Sequence, residues 1–245
     1  MQPSKTNNHL TINRFDNRDL LFETIAQDIE QSLQQALAQY DSASFIIPGG
    51  TTPGPAFKSL SNADLDWSKV SIAQSDERWL DASHEQSNQK LTERALLINK
   101  ASKANYIAMK NNADTAKAGL SQCNQDYLSM HTPFTVTMLG MGLDGHFASL
   151  FPNSNHIEQA LDVTNKKLCI DIDATDCSVA GAYTERMSLT LSGILKSKKI
   201  ILLITGKEKL DLIESKLNGK MELACPITYL INNKIDTPVE IYWAD

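Results

Sequence analysis

The sequence has few cysteines, and their spacing suggests neither a disulfide framework nor a metal site. Four occur in 245 residues, and none belongs to a CxxC pair. Structural zinc sites and disulfide frameworks use closer or more regular spacings. We therefore expect no metal site built on these cysteines. We interpret the four cysteines as reduced, small apolar side chains: Cys123, Cys169, Cys177 and Cys225.

Long apolar runs and basic clusters are also missing. No segment approaches the roughly 20 apolar residues that span a bilayer, and the first ten residues lack the apolar core of a signal peptide. The 23 Lys and Arg are outnumbered by 29 Asp and Glu, which gives a formal net charge of −6 and argues against a broad nucleic-acid surface. We therefore expect a cytoplasmic protein that binds neither membranes nor nucleic acid.

What the sequence does contain is an alternation of short apolar strands with amphipathic helices. With 42% hydrophobic and 21% charged residues, the chain can bury a full core. Repeated strand-then-helix units predict an α/β fold with a doubly wound, mostly parallel sheet and helices on both faces. We see no linker or repeat and expect one domain over residues 1–245. The predicted strands are 10–15, 42–48, 69–74, 105–109, 135–139, 166–173, 198–205 and 239–245. Three predicted helices begin after a cap at Asp16 or Asn17, at Pro53 and at Asn88, and two more cover residues 114–130 and 210–217. Residues 186–195 are predicted as a strand followed by a helix, and residues 175–183 as a loop.

Two strand-to-helix junctions look suited to bind an anion. The first contains Gly49, Gly50 and Thr51, and glycines before a helix expose backbone N–H groups to which a hydroxyl adds a further donor. No Gly-Lys-Ser/Thr follows, so this junction is not a Walker loop. At the second junction Lys209 precedes a predicted helix, where its charge opposes the helix dipole unless an anion is shared. A plain glycine turn and an ordinary surface lysine are the alternatives.

Charged residues follow the strand 69–74 directly, in the segment SDERW. Such a cluster is commonly a solvated loop. Its position at the carboxyl end of a parallel strand, however, is where α/β proteins bind ligands. Arg78 can hold an anionic substrate or a developing oxyanion, and Asp76 can accept a hydrogen bond from a hydroxyl.

The stretch around which the chain is organised is TVTMLGMGLDGHFASLFP, residues 135–152. A buried strand leads into three glycines, which allow a tight loop and close approach to a ligand. Asp144 lies two residues before His146, so its carboxylate can orient the imidazole as a general base near neutral pH. A loop histidine in a tight turn is the alternative. Because right-handed crossovers place every strand-to-helix loop at one edge, we expect all these segments to converge.

Six segments of the sequence, in their order and spacing, resemble the glucosamine-6-phosphate isomerase/6-phosphogluconolactonase family. They are GGTTP, SDERW with SN ten residues later, GMGLDGHFASLFP, ERMSLTL, TGKEK and IYWAD. Within it they resemble the lactonases, since the deaminases have Asn-Glu-Pro where this chain continues with Ser149. The resemblance implies a Rossmann-like fold shared with sugar-phosphate isomerases and CoA transferases. It implies an enzyme of the oxidative pentose phosphate pathway that hydrolyses 6-phospho-D-glucono-1,5-lactone to 6-phospho-D-gluconate without a metal or an organic cofactor.

The resemblance also implies roles for individual residues. His146 matches the general base, and Asp76 and Arg78 match the acidic and basic positions of the DER segment. We add Asp144 as the residue that orients His146. The residues expected to bind the substrate and its phosphate are Gly49, Gly50, Thr51, Gly142, Arg186 and Lys209.

Three alternatives remain open at this stage. Ser149 could act as a nucleophile, although no G-x-S-x-G elbow is present. The same base could instead serve a sugar-phosphate isomerase-deaminase, or the chain could be a non-catalytic sugar-phosphate sensor. The partner we expect is a small sugar-phosphate lactone, bound by a monomer or weak homo-oligomer.

Overall fold

The computed structural model describes residues 4–7, 9–234 and 236–245. The first ten residues, in which we expect no targeting signal, lie partly outside the described residues. No helix in the described part of the chain is long and apolar enough to cross a membrane. Strands are numbered in chain order: β1 Ser4–Asn7, β2 Leu10–Arg14, β3 Ala43–Ile47, β4 Val70–Gln74, β5 Asp76–Arg78, β6 Asn105–Ile107, β7 Val136–Leu139, β8 Cys169–Asp173, β9 Glu185–Leu189, β10 Ile200–Thr205 and β11 Val239–Ala244. The helices are α1 Arg18–Tyr40, α2 Gly54–Leu60, α3 Asn88–Ala95, α4 Ala116–Leu128, α5 Ile157–Leu161, α6 Leu191–Leu195, α7 Lys207–Lys216 and α8 Ile227–Ile231.

The main sheet has the strand order β1-β2-β11-β10-β7-β3-β4-β6. Only β1 runs antiparallel to its neighbour, and the other neighbouring pairs are parallel. The mostly parallel sheet is therefore confirmed. Parallel order directs the carboxyl ends of β3, β4, β7 and β10 to the same edge, where ligands bind in such sheets.

Helices cover both faces of this sheet, as the sequence predicts. On β3, Phe45 and Ile47 pack into a core shared with α1 and α2, while Ile46 packs into the opposite core with α4, α6, α7 and α8. A strand buried on both faces has no polar alternation, which explains the continuous apolar run. All three side chains have no measurable solvent exposure, and each contributes about 1.5–3 kcal/mol by burial.

The helix starts differ slightly from the predicted ones. Asn17, rather than Asp16, caps α1, and its Oδ1 accepts a hydrogen bond from the backbone of Leu20 at 2.9 Å. Helix α2 begins at Gly54, one residue after the predicted Pro53. Helix α7 begins at Lys207, three residues before the predicted start, so Lys209 lies within its first turn.

A second, smaller sheet was not foreseen. The segment SDERW, expected to be a loop, forms β5, which pairs antiparallel with β9, and β9 pairs antiparallel with β8. Strand β8 begins at Cys169 rather than at 166, and a short 3-10 turn, Ser178–Ala180, lies in the predicted loop 175–183. The small sheet stands at the carboxyl edge of the main sheet, since β5 follows β4 after one residue.

Candidate active site

A cleft of about 340 Å³ lies at the carboxyl edge of the main sheet. It is lined by residues from each of the four segments that were expected to converge. The loop after β3 contributes glycines, β5 contributes two charged residues, the loop after β7 contributes a histidine, and α7 contributes a lysine. Of the predicted site residues, the cleft is lined by Gly49, Gly50, Asp76, Arg78, Gly142, His146, Arg186 and Lys209.

His146 is oriented by Asp144, as predicted from their spacing. Its Nδ1 lies 2.6 Å from Oδ1 of Asp144, and the same oxygen accepts the backbone N–H of His146 at 3.2 Å. The ring packs on Phe151, with ring centroids 4.4 Å apart. Since Nδ1 is engaged, Nε2 is left as the atom able to exchange a proton with a ligand in the cleft.

Asp144 does not line the cleft, but it is held in its charged form. Burial acts to raise the pKa of the Asp144 carboxyl, and the hydrogen bond and charge of His146 outweigh it, so that the pKa lies below its ordinary value. A carboxylate that stays ionised favours the imidazolium formed when His146 accepts a proton. The pair is therefore suited to general-base chemistry.

Two glycines are needed because side chains approach them closely. A Cβ at Gly142 would lie 2.3 Å from Nδ1 of His146 and 2.6 Å from Oδ1 of Asp144. A Cβ at Gly49 would lie 2.3 Å from the side-chain amide of Asn88. Neither position has room for a side chain, so the glycines allow these polar groups to lie directly against the backbone.

Strand alternation divides the DER segment between two environments. Side chains of successive strand residues point to opposite faces, so Asp76 and Arg78 share one face of β5 and both line the cleft. Glu77 points the other way and has no measurable solvent exposure. Its carboxylate accepts the backbone N–H groups of Arg78, Asn88 and Gln89, each at 2.8 Å, and the hydroxyl of Ser87 at 3.2 Å.

Glu77 therefore anchors the start of α3 rather than the substrate. Burial raises the pKa of its carboxyl, and the three backbone N–H groups act in the opposite direction. Ser87 caps α3, and Asn88 is its first residue. The Asn88 amide donates to the backbone carbonyl of Asp76 at 2.9 Å, which ties the helix to β5 beside the cleft.

Asp76 is oriented by Ser149, a contact that sequence reasoning missed. The Ser149 hydroxyl donates to Oδ2 of Asp76 at 2.6 Å, and both residues are buried. The Ser149 backbone N–H donates to the hydroxyl of Ser188 at 3.2 Å, so the serine links the loop after β7 to β9. A hydroxyl that donates to a carboxylate is oriented, yet no histidine accepts its proton, so the geometry does not favour a nucleophile.

Arg78 and Arg186 face each other across the small sheet. They are direct partners in the antiparallel β5–β9 register, which places both side chains on the same face. Arg186 is only 4% exposed, and burial lowers the pKa of its guanidinium. Its plane packs near the Phe151 ring, at 5.6 Å from the centroid.

The cationic groups of the cleft make no ion pair with a described carboxylate, although the charges of Asp76 and Glu77 act to raise the pKa of Arg186 against the effect of its burial. Among the described residues, no carboxylate forms an ion pair with Arg78, Arg186 or Lys209. Burial alone lowers the pKa of Lys209. In a chain with a net charge of −6, three cations that line one cleft without ion-pair partners are suited to bind an anion.

Thr51 is the predicted phosphate residue that the structure places away from the cleft. It lines a smaller pocket between α2 and α3, whereas the neighbouring Thr52 lines the cleft. The loop turns at Gly50, which has a φ of +81°, and this turn was not readable from the sequence. Asn88, predicted to begin a helix, also lines the cleft. Further cleft residues that the sequence did not reveal include Phe151, Val179 and Ala180.

The described residues contain no group of three or more His, Cys, Asp or Glu side chains arranged to hold a metal ion. The four cysteines are free and buried. The ionisable side chains that the cleft presents are His146, Asp76 and the cations Arg78, Arg186 and Lys209.

Comparison with known proteins is consistent with this arrangement. Residues 16–243 match the family model described as glucosamine-6-phosphate isomerases/6-phosphogluconolactonase. The chain is 34% identical over 230 residues to the 6-phosphogluconolactonase of Rhizobium meliloti (strain 1021), which covers 94% of this chain and 97% of the relative.

Solved structures show the same relationship. The crystal structure of a 6-phosphogluconolactonase from Shewanella baltica OS155 has a TM-score of 0.89 and 35% identity, covering 96% of this chain and 97% of that one. A monomeric glucosamine-6-phosphate deaminase has a TM-score of 0.74 at 17% identity, over 95% of this chain and 96% of that one, and this likeness concerns the fold alone. From the match along almost its whole length, the chain belongs to the glucosamine-6-phosphate isomerase/6-phosphogluconolactonase family.

Proposed function

We propose that the protein hydrolyses 6-phospho-D-glucono-1,5-lactone to 6-phospho-D-gluconate, the second step of the oxidative pentose phosphate pathway. The observation that carries the proposal is the placement of a carboxylate-oriented histidine in the same cleft as three cations without carboxylate partners. A base suits ester hydrolysis, and the cations suit a phosphorylated substrate. The naming of the R. meliloti and S. baltica relatives as 6-phosphogluconolactonases supports it.

In the proposed mechanism, His146 Nε2 takes a proton from water while the water oxygen attacks the lactone carbonyl. The tetrahedral oxyanion is stabilised by the guanidinium of Arg78. As the intermediate collapses, the bond from the carbonyl carbon to the ring oxygen breaks, and the imidazolium returns its proton to that oxygen. The carboxylic acid then ionises, so that each turnover releases one proton. Asp144 holds the imidazole in the required tautomer throughout.

The substrate is held at several points in this proposal. Arg186 and Lys209 bind the phosphate, and the backbone of Gly49, Gly50 and Gly142 allows close approach of the ligand. Asp76 accepts a hydrogen bond from a sugar hydroxyl, with its carboxylate fixed by Ser149. Thr51 remains a weaker candidate for the phosphate, since Thr52 is the threonine that lines the cleft.

We further propose that the chain works as one domain, because the small sheet supplies Asp76, Arg78 and Arg186 to the cleft that the main sheet forms. A cytoplasmic location suits a phosphorylated metabolite and four free, buried cysteines. The monomer or weak homo-oligomer that we expect would be adequate, since a single chain supplies the histidine, its carboxylate partner and three cations.

The test is acid release from freshly generated 6-phosphogluconolactone, corrected for spontaneous hydrolysis. We expect clear acceleration, with kcat/KM for unphosphorylated gluconolactone at least ~10²-fold lower, because phosphate donors would be left unpaired. Glucosamine 6-phosphate should not be converted. Conversion of glucosamine 6-phosphate without lactone hydrolysis would assign the protein to the isomerase-deaminase branch. Binding of sugar phosphates without turnover of either would indicate a sensor.

A further inference from the structure

The guanidinium groups of the two facing arginines are held by two loops rather than by acidic side chains. Arg78 Nη1 donates to the backbone carbonyl of Gln86 at 2.8 Å and to its side-chain Oε1 at 2.9 Å. Arg186 Nε donates to the carbonyl of Tyr183 at 2.6 Å, and Nη2 to that of Ala180 at 2.7 Å. The positions of both guanidinium groups therefore depend on the loops 80–87 and 174–184.

A pair of side chains, His84 and Tyr183, connects these two loops. The hydroxyl of Tyr183 lies 3.2 Å from Nε2 of His84. The two rings also make an edge-to-face contact, with centroids 5.0 Å apart and an interplanar angle of 75°. Aromatic pairs in this geometry attract beyond the burial of their surface. The contact joins segments 99 residues apart in sequence.

The other nitrogen of His84 links this pair to Arg78. Nδ1 of His84 accepts the backbone N–H of Gln86 at 3.0 Å, so the neutral ring carries its proton on Nε2 and donates it to Tyr183. Gln86 in turn accepts from Arg78. A continuous chain of contacts thus runs from Arg78 through Gln86 and His84 to Tyr183, whose carbonyl holds Arg186.

We propose that the His84–Tyr183 pair is a latch that fixes the two facing arginines relative to each other, which makes both residues positioning residues for a phosphate or other anion in the cleft. The inference rests on the proposed function in assigning an anionic substrate to the arginines. A guanidinium fixed before binding loses less conformational freedom when it engages the anion. The latch therefore acts on affinity for the phosphorylated ligand, without contacting that ligand.

The coupling of the two loops can be measured without any assay of activity. Native-state hydrogen–deuterium exchange of Tyr183→Phe should show faster exchange at the amides of His84 and Ser87, which donate to carbonyls within the unmutated loop. His84→Ala should likewise accelerate exchange at Cys177 and Ala180. Faster exchange in the opposite loop supports the latch. Acceleration confined to the mutated loop overturns it.

The consequence for the arginines is measured by calorimetric titration with 6-phosphogluconate and, separately, with inorganic phosphate. Tyr183→Phe should weaken binding of both by roughly threefold to fivefold, the effect of losing one neutral hydrogen bond. In lactone hydrolysis KM for the phosphorylated lactone should rise because Arg186 binds the phosphate, and kcat should fall by a similarly small factor because Arg78 stabilises the oxyanion. Unphosphorylated gluconolactone should show the fall in kcat without the rise in KM. The double variant with His84→Ala should lose little more than His84→Ala alone, because His84→Ala already removes the contact with Tyr183 together with the hydrogen bond from Gln86.

A matched control is available at the other end of the sheet, where Tyr40 packs on His131 with centroids 5.1 Å apart. Tyr40→Phe should leave affinity and exchange in both loops unchanged. If the wild type binds 6-phosphogluconate and Tyr183→Phe binds it equally well, the latch proposal is wrong and the proposed function stands. If the wild type binds and hydrolyses no sugar phosphate, the proposed function fails, and the exchange experiment still decides whether the loops are coupled.

Discussion

A pocket with charged side chains lies at each end of the main sheet, and the two pockets differ in whether those side chains form ion pairs. At the amino end, a pocket of about 400 Å³ is lined in part by Asp28, Lys199 and Glu240. Lys199 Nζ lies 3.2 Å from Asp28 and 3.3 Å from Glu240. The Tyr242 hydroxyl donates to both carboxylates, with 2.9 Å to Glu240. At the carboxyl end, Arg78, Arg186 and Lys209 lack such partners among the described residues.

The difference teaches that size does not identify the functional site. The two pockets are of similar size, yet in the amino-end pocket the charges of Asp28, Lys199 and Glu240 pair with one another and contribute to stability. The carboxyl-end cleft leaves its cations for a ligand, and it adds a histidine whose proton-accepting atom is available. Partly buried cations without carboxylate partners cost stability, which supports the proposal that these three bind an anion.

The largest expected effect is a loss of kcat, and it is tested by comparing two histidines at opposite ends of the main sheet. His146→Ala should lower kcat for 6-phosphogluconolactone by about 10²–10⁴-fold, because a general base supplies that much. His131→Ala, at the amino end, should leave kcat within about twofold. Stopped-flow acid release measures both, and thermal unfolding checks that each variant is folded. Near-normal turnover by His146→Ala would remove the proposed base.

Much of the carboxyl end could be predicted from sequence, because its parts are local. Each glycine or charged motif directly follows a strand, and parallel order brings strand ends together. Gly142 and His146 belong to one loop, and the Asp144–His146 pair is two residues apart. The phosphate role assigned to Thr51 shows the limit, since the turn at Gly50 decides which threonine faces the cleft.

The small sheet and the amino-end pocket could not be predicted, because they depend on distant pairings. Strand β5 is three residues long, too short for periodicity to show, and it exists because β9 pairs with it over one hundred positions later. The partners of Lys199 come from α1 and β11. The spacing of these residues in the sequence does not predict such a cluster.

A second comparison concerns the two aspartates at these ends. Asp144→Asn should lower kcat roughly tenfold to hundredfold, a part of what the general base supplies, because a neutral amide does not stabilise the imidazolium. Asp28→Asn should leave kcat unchanged. Acid release at pH 7 measures both, and equal losses would show that the amino end acts on the reaction.

The stability that Asp144 contributes should also depend on pH. Its folded pKa lies below the ordinary value of 3.8, so the contribution is present above that pH and is lost as the pH falls through the lower folded value. Urea unfolding of wild type and Asp144→Asn should show a constant difference at neutral pH that narrows below about pH 4. A difference that widens on acidification would contradict the assigned direction.

Substitutions of Lys209 and Lys199 should affect two different quantities, KM and the free energy of unfolding. Lys209→Met should raise KM for the phosphorylated lactone about tenfold to hundredfold, since one hydrogen bond to a charged group is lost. The same substitution should not lower the free energy of unfolding, because burial disfavours the charged form of Lys209. Lys199→Met should lower the free energy of unfolding by about 1–3 kcal/mol with KM unchanged. If both lysines affected the same quantity, the contrast between binding and stability would fail.

The smallest expected effect lies wholly at the amino end. Tyr242→Phe removes the donor shared by Asp28 and Glu240 and should lower the free energy of unfolding by about 1 kcal/mol at pH 7, with turnover unchanged. Burial, together with the two carboxylates, raises the pKa of Tyr242 above 10.0. Its contribution is therefore fully present below pH 10 and is lost as the pH rises through the folded value. Urea unfolding at pH 7, 9 and 10.5 should show a difference from wild type that is constant and then shrinks. Loss of turnover at pH 7 would mean that the two ends are coupled, because no charge in the cleft is altered by this change.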